Sequence, residues 1–240
     1  MDPEARLSPE QLAPLDQFHT DALFATRSLT ELVEIDRSTR ILDVGAGLGG
    51  PARYLASTFG CTVTCLDPVL DFCDAAAMLS EMTGLSGLVS AVPGSALDIP
   101  FEDGSYDLVW AQNSTMNIED KARLFSEIRR VLSSGGRYAF QEITAGSRQP
   151  IHLPVPWASS EEMNFLSSAA DTRRIAERAG FEVVVFDENP PRPPAPDPET
   201  PPNPLTPAVF IPNLADRRGN AQRNAAEDRT RLLRGVFRAT

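Results

Sequence analysis

The sequence predicts an α/β fold, a doubly wound and mostly parallel seven-stranded sheet with helices on both faces. Three observations point there. Apolar strand-like runs alternate with helix-like segments between residues 41 and 186. The first strand runs into a glycine-rich turn in "ILDVGAGLGGPARYLA", Ile41 to Ala56. The 240 residues are 42% hydrophobic, enough for one sizeable core and hence a single domain with additions.

Taken in order, "SPEQLAPLDQFHTDALFATRSLTELVEI" spaces Leu15, Phe18, Leu23, Leu29, Leu32 and Val33 as one or two amphipathic helices. Ser8 or a neighbour caps their start. Ile41–Val44 is the first strand and Pro51–Thr58 the first core helix. Thr62–Leu66 and Asp71–Met82 repeat the strand and helix pattern. Gly87–Val92 and Tyr106–Ala111 are the third and fourth strands. Ile118–Leu132 is a helix with Leu124, Ile128 and Leu132 on one face, stopped by Gly135-Gly136. Arg137–Ile143 is the fifth strand. Ser168 to Asp171 reads as a capping box opening a helix that Gly180 closes, before a sixth strand in Phe181–Phe186.

Eleven of the 21 prolines fall between Pro190 and Pro212. Such a stretch continues neither a helix nor a central strand. It reads as an extended surface excursion, disordered at its middle. A proline-motif ligand for a partner domain is the sharper alternative. Leu214–Arg229 then reads as a polar helix, and "LLRGVFRAT" as a last strand returning beside "FEVVVF".

Net charge is −11, from 33 acidic and 22 basic residues. Such a surface repels phosphate backbones, which argues against a nucleic-acid partner. No apolar run approaches a membrane span, and "MDPEARLSPEQ" lacks the basic and apolar regions of a secretory signal. A cytoplasmic protein is expected. Cys61, Cys65 and Cys73 are odd in number, and Cys61 and Cys65 lie too far apart along one strand face for a tight metal pair. Buried thiols and no metal site are expected.

The glycines fit two patterns. Gly45, Gly47 and Gly50 match G-x-G-x-x-G; Gly45, Gly47 and Gly49 match G-x-G-x-G. Missing Cβ atoms let a ligand approach the backbone, and free N–H groups at the helix start attract polar groups. Asp43, two residues before Gly45, would repel phosphates and suits a positive amine. Asp67, closing the second strand in "CLDP", can accept both hydroxyls of a ribose.

With "GSALDIPF", "YDLVWAQN" and "VLSSGGR" following in order, the chain resembles the class I S-adenosylmethionine-dependent methyltransferases, clearly over residues 38 to 187. "LDQFH", "GLGGPARYLA", "WAQNSTMNI" and "PVPWA" resemble their small-molecule, type 11-like branch, whose members act on amines, sugars and other metabolites. The resemblance implies a Rossmann-like sheet with an antiparallel last strand and an N-terminal helical cap. It divides one domain into cap (1–36), cofactor-binding core (37–187), proline-rich excursion (188–213) and C-terminal helix and strand (214–240).

The implied cofactor is S-adenosyl-L-methionine, with S-adenosyl-L-homocysteine as product. Gly45, Ala46, Gly47 and Gly49 would pass under its methionine part, with Asp43 bracing the loop near the amino end. Asp67 would bind the ribose, with Pro68 beside the adenine. Relatives often carry Asp where this chain has Ser95; that position and the N–H of Ala96 would face the adenine, with Asp98 as a compensating acid or a turn cap. Gln112 would border the methionine, and Asn113 the transfer site.

Methyl transfer from a sulfonium is an in-line displacement, so alignment matters most. A base is needed only if the acceptor must lose a proton. Several relatives end the loop after the fourth strand in histidine; here Asn117 stands there and cannot be a base. His19 in the cap is the candidate base. Glu142 is a candidate base or cation partner, and His152 a weaker one. His152 and Trp157, with Phe165, belong to the expected substrate wall. The resemblance implies a small-molecule acceptor with an O, N or C nucleophile, and a homodimer is compatible with this reading.

Three other readings stay open. A protein of the same fold binding the cofactor without catalysis fits Ser95 and Asn117. An NAD-dependent oxidoreductase fits G-x-G-x-x-G, but Asp43 argues against it and no Tyr-x-x-x-Lys pair is present. A methyltransferase acting on macromolecules is disfavoured by the charge.

Overall fold

In a computed structural model, which describes residues 6–194 and 204–240, the chain folds around one seven-stranded sheet. The strands are β1 (Arg40–Val44), β2 (Thr62–Asp67), β3 (Val89–Pro93), β4 (Tyr106–Gln112), β5 (Leu132–Ala145), β6 (Phe181–Asp187) and β7 (Thr230–Ala239). Their order is β3-β2-β1-β4-β5-β7-β6. The first five pair in parallel, and β7 runs antiparallel between β5 and β6. "LLRGVFRAT" thus lies beside "FEVVVF" as expected, and also beside β5, leaving β6 at the edge.

The helices are α1 (Pro9–Asp16), α2 (Ala22–Thr30), α3 (Gly50–Phe59), α4 (Leu70–Met82), α5 (Lys121–Val131), α6 (Ala169–Arg178) and α7 (Leu214–Ala226). Strand alternation sends neighbouring residues to opposite faces. Leu42, Val44, Leu66, Val109 and Phe140 pack on one face with Leu124 and Ile128 of α5. Ile41, Val63, Cys65, Trp110 and Ala139 pack on the other with Leu55 of α3 and Leu29 of α2. The three cysteines are free and buried.

Start signals behave as read. Ser8 and Gln11 close a reciprocal capping box, which satisfies donors orphaned at the start of α1. Ser168 caps α6, but the return bond differs: its hydroxyl donates to Asp171 Oδ2 instead of Asp171 reaching back to the backbone. The helix expected to stop at Gly135-Gly136 ends earlier, at Val131. Leu132 is buried and pairs with Tyr106, so packing ends the helix before the glycines are reached. Gly136 sits where the chain passes close to the Asp107 carbonyl, which a Cβ would approach to 3.1 Å.

The proline-rich stretch departs from a purely outward excursion. Its middle, 195–203, lies outside the described residues. On its near side Arg192 Nε pairs with Asp21 Oδ2 at 2.9 Å. On its far side the Phe210 ring meets Phe18 and Phe72 edge-on, with centroids 5.7 and 6.0 Å apart. Aromatic burial draws these flanks onto the cap and α4.

Candidate active site

Order reverses between β1 and β4, and doubly wound sheets bind ligands in the crevice at the carboxyl ends there. A cavity of about 1390 Å³ opens at that place. Single-ligand pockets run to roughly 1,000 Å³, so this one has room for two molecules.

Each glycine of the loop does a different job. At Gly47 an added Cβ would meet nothing within 4 Å, so its missing side chain opens the cavity floor. At Gly50 a Cβ would overlap the Asp16 carbonyl, so this glycine lets the end of α1 rest on the loop. Gly45 packs against Ser114. Gly49 does not line the cavity: a Cβ there would press on Arg53, Ala76 and Cys65. The expectation that it underlies a ligand is corrected accordingly, because the side a Cβ would take is filled by α3, β2 and α4. Both overlapping patterns therefore have a physical basis in this fold.

Asp43 is 2% exposed and lines the cavity. Burial, and secondarily the nearby Asp67, push it up to about 8, with Arg53 opposing. Its Oδ2 has no hydrogen-bond partner. It does not brace the loop by a hydrogen bond, contrary to expectation. Bracing comes instead from Asp67 Oδ2, which accepts from Gly47 N at 2.9 Å, from Ser114 Oγ donating to the Val44 carbonyl, and from Arg53 donating to the Leu48 carbonyl. Asp67 Oδ1 accepts from Val69 N, so two N–H groups orient this carboxylate and leave lone pairs toward the cavity it lines. Asp43 and Asp67 sit on the ends of adjacent strands, Asp43 level with Cys65.

Pro68, Ser95, Ala96, Leu97 and Phe72 line the same end. Ser95 Oγ accepts from Leu97 N at 3.1 Å, so it shapes its own turn. The Asp98 side chain is 92% exposed and does not line the cavity, which excludes it as a compensating acid there.

Gln112 and Asn113 lie at the end of β4. Gln112 Oε1 accepts from Trp110 Nε1 at 2.9 Å and from Thr26 Oγ1 at 3.0 Å. An indole N–H only donates, so the amide orientation is forced and Nε2 is left without a partner beside the cavity. Asn113 donates from Nδ2 to Thr20 Oγ1 at 2.9 Å, and its Oδ1 is unpartnered. Gln141 Nε2 donates to the Thr20 carbonyl. The cap is thus latched to the strand ends through Thr20 and Thr26.

His19 belongs to that latch. Its Nε2 lies 3.0 Å from Gln17 Oε1 and 3.1 Å from Thr26 Oγ1, and its Nδ1 3.3 Å from the Thr20 carbonyl. Burial lowers its pKa to about 4. It lines the cavity, yet both ring nitrogens already have protein partners.

Glu142 and His152 lie elsewhere than expected. Glu142 does not line the large cavity; it borders a separate void of about 20 Å³ with Lys121 and Tyr138. Its Oε1 accepts from Ser114 N and Thr115 N at 3.3 and 3.1 Å. Burial lifts it to about 7 and lowers Lys121 to about 8. Lys121 Nζ donates to the Thr115 and Ile118 carbonyls. The pair therefore clamps the loop after β4 from beneath, because the strand alternation points Glu142 away from the cavity. His152 also misses the cavity; its Nε2 is 2.8 Å from Glu227 Oε2, fixing its segment to α7. Asn117 does line it, and its Nδ2 donates to the Trp157 and Met163 carbonyls. Trp157 and Phe165 line it too.

The sequence reading missed Asp16, Gln17, Thr20, Thr26 and Arg53. Arg53 and Asp16 are fully buried and paired at 2.6 Å, Asp16 lining the cavity. No spacing rule marks two distant charged residues as one buried pair. Among the described residues no His, Cys, Asp or Glu cluster could hold a metal.

A doubly wound sheet with β7 antiparallel beside β5, and an acid-flanked glycine loop at its switch point, defines the class I methyltransferase architecture. Comparison with known proteins agrees. Residues 42–140 match the family model described as a methyltransferase domain. The chain is 31% identical over 175 residues to a glycine/sarcosine/dimethylglycine N-methyltransferase from Actinopolyspora halophila, a match covering 73% of this chain and 31% of that one. It is 34% identical over 150 residues to a sarcosine/dimethylglycine N-methyltransferase from Aphanothece halophytica, covering 62% and 54%. The matched part thus spans about a third to a half of these relatives' lengths. A geranyl diphosphate C-methyltransferase from Streptomyces coelicolor, solved with S-adenosyl-L-homocysteine, shares the fold at a TM-score of 0.72 and 18% identity, over 90% of this chain and 80% of that one. The chain carries a methyltransferase domain over residues 42–140 within a class I methyltransferase fold.

Proposed function

We propose that this protein transfers a methyl group from S-adenosyl-L-methionine to a small-molecule acceptor. The observation that carries the reading is Asp43: a buried carboxylate with an unpartnered oxygen, held near neutrality of charge beside an open glycine floor. A cationic amine supplies the charge such a group lacks. A pyrophosphate brings only negative charge, so it would keep the group protonated and gain no ion pair from it. The residues present fit the cofactor. Asp43 would receive its amino group, Gly45, Ala46 and Gly47 its methionine backbone, and the oriented carboxylate of Asp67 its ribose. Pro68, Ser95, Ala96 and Phe72 would enclose the base. When bound, the cofactor supplies an electrophilic methyl group on sulfur.

The chain's own work is alignment and exclusion of water. Gln112 presents a donor from a fixed amide, and Asn113 faces the acceptor. We assign His19 to positioning. A buried nitrogen that resists protonation is a poor proton acceptor at pH 7. The acceptor then reacts through a lone pair already available, as a neutral amine or a nucleophile ionised beforehand does. A cytoplasmic location is supported by buried free thiols and by the lack, among the described residues, of any helix long and apolar enough to cross a membrane.

Calorimetric titration tests the reading: S-adenosyl-L-homocysteine binds and NAD does not. Binding of NAD alone would overturn it. Transfer of labelled methyl into a metabolite mixture separates catalysis from cofactor binding without reaction.

A further inference from the structure

Resting on that reading, we infer that the acceptor is an apolar, ring-sized or chain-like molecule with a single polar end, rather than a small zwitterion such as the matched N-methyltransferases are named for. The cavity exceeds what one ligand needs, so the part beyond the glycine loop is a chamber in its own right. Met116, Ile118, Ile143, Trp157, Phe165 and Leu232 supply its walls. These come from the loop after β4, from β5, from the 150–166 segment and from β7.

The polar groups along those walls are mostly spent on the protein. Asn117 holds the Trp157 and Met163 carbonyls. Trp157 Nε1 donates to Asn164 Oδ1 at 2.9 Å. Arg231 is held bidentately by Asp228, and Arg192 by Asp21. Away from the acids of the glycine-loop end, the lining charges without a counter-ion among the described residues are Glu119 and Arg218, and both are solvent-exposed. Charges in water contribute little to holding a small zwitterion. A zwitterion seated deeper would leave its own charges unpaired against apolar walls, which is costly. An apolar body instead gains from every wall it covers, about 25 cal/mol per Å². Its polar end would meet the Asn113 side chain, which lines the cavity and whose buried Oδ1 has no partner of its own. The reaction is unchanged: the acceptor's lone pair forms the new bond to the methyl carbon, and the electron pair of the broken carbon–sulfur bond stays on sulfur.

The test uses the full chain saturated with S-adenosyl-L-homocysteine, whose binding is measured first. The probes are 1-naphthol and geraniol against sarcosine and dimethylglycine. Trp110 is fully buried while Trp157 lines the chamber, so quenching of Trp157 fluorescence reports occupancy and calorimetry gives affinity. The apolar probes are expected to bind and the zwitterions to give no signal at matched concentration. Leu232→Asp, and Ala225→Trp on the exposed cavity-facing side of α7, are each expected to weaken probe binding about tenfold or more while cofactor-product affinity stays within about twofold. Ala225→Trp serves if Leu232→Asp fails to fold. Zwitterion binding without naphthol or geraniol binding overturns the inference, and so does probe binding that neither variant changes. Failure of the homocysteine product to bind at all overturns the underlying reading instead, and this inference with it.

Discussion

The Arg53 guanidinium donates to Asp16 Oδ2 at 2.6 Å, and the same Nη2 reaches the Leu48 carbonyl at 2.6 Å. One buried side chain thereby joins cap helix α1 to the glycine loop. Burial raises Asp16, and Arg53 opposes the rise. Arg53→Ala leaves a carboxylate buried without its cation. The expected loss is about 3–5 kcal/mol of stability, read from urea denaturation. Asp16→Leu added to that variant should restore much of it, since the cost is the stranded charge. No recovery would mean that the pair is not what fails.

Asp43 should couple cofactor binding to proton release. Its folded pKa of about 8 stands above the unfolded 3.8, so the empty protein holds this proton at pH 7. A bound amine favours the carboxylate and expels it. Titrations with S-adenosyl-L-homocysteine in buffers of different ionisation enthalpy should show net release from this group at pH 7, fading above pH 9. The same shift has a stability sign. The folded state holds a proton that the unfolded state has lost between about pH 4 and pH 8, so stability from this group falls as pH rises through that window. Asp43→Asn should therefore be more stable than wild type at pH 8 while binding the product about tenfold or more weakly.

His19 carries the opposite sign. Its folded pKa of about 4 lies below 6.5, so its contribution is present above pH 6.5 and lost as pH falls toward 4. His19→Gln should flatten this part of the pH–stability curve, by on the order of 3 kcal/mol. Methyl transfer by this variant should persist once an acceptor is known. A loss of turnover with product affinity unchanged would restore His19 as a base.

Glu142 should control the loop after β4 from outside the cavity. Glu142→Ala removes the acceptor for Ser114 N and Thr115 N. Hydrogen exchange at those two amides should speed up about tenfold or more, while β1 and β2 amides stay protected. Unchanged exchange at Ser114 and Thr115 would remove the clamp. Weaker product binding should accompany the faster exchange, because Ser114 packs against Gly45 and bonds the Val44 carbonyl.

Much of the fold was legible in the letters. The apolar run Ile41–Val44 read as a strand, glycine punctuated β1 into α3, and Ser8 and Ser168 announced their helices. Asp43, Gly47 and Asp67 stood out because strand ends feeding glycines gather at one edge of such a sheet. Glu142 and His152 were placed in the site by proximity in sequence to strand ends, and that guide fails. On β5 a one-residue difference in phase turns a side chain away from the cavity. His152 is captured by Glu227, 75 residues later, which no local pattern can encode.

The sequence by itself determined the α/β class, the element order and the glycine loop with its flanking acids, because periodicity and turn chemistry are local. Tertiary structure alone decided which glycine opens the floor and which admits α1, and that Gln112 leaves its Nε2 free. It also decided that Asp16 and Arg53 share one buried site. Those outcomes depend on atoms brought together from distant positions, where close packing and the pairing of buried charge, rather than propensity, set the energy.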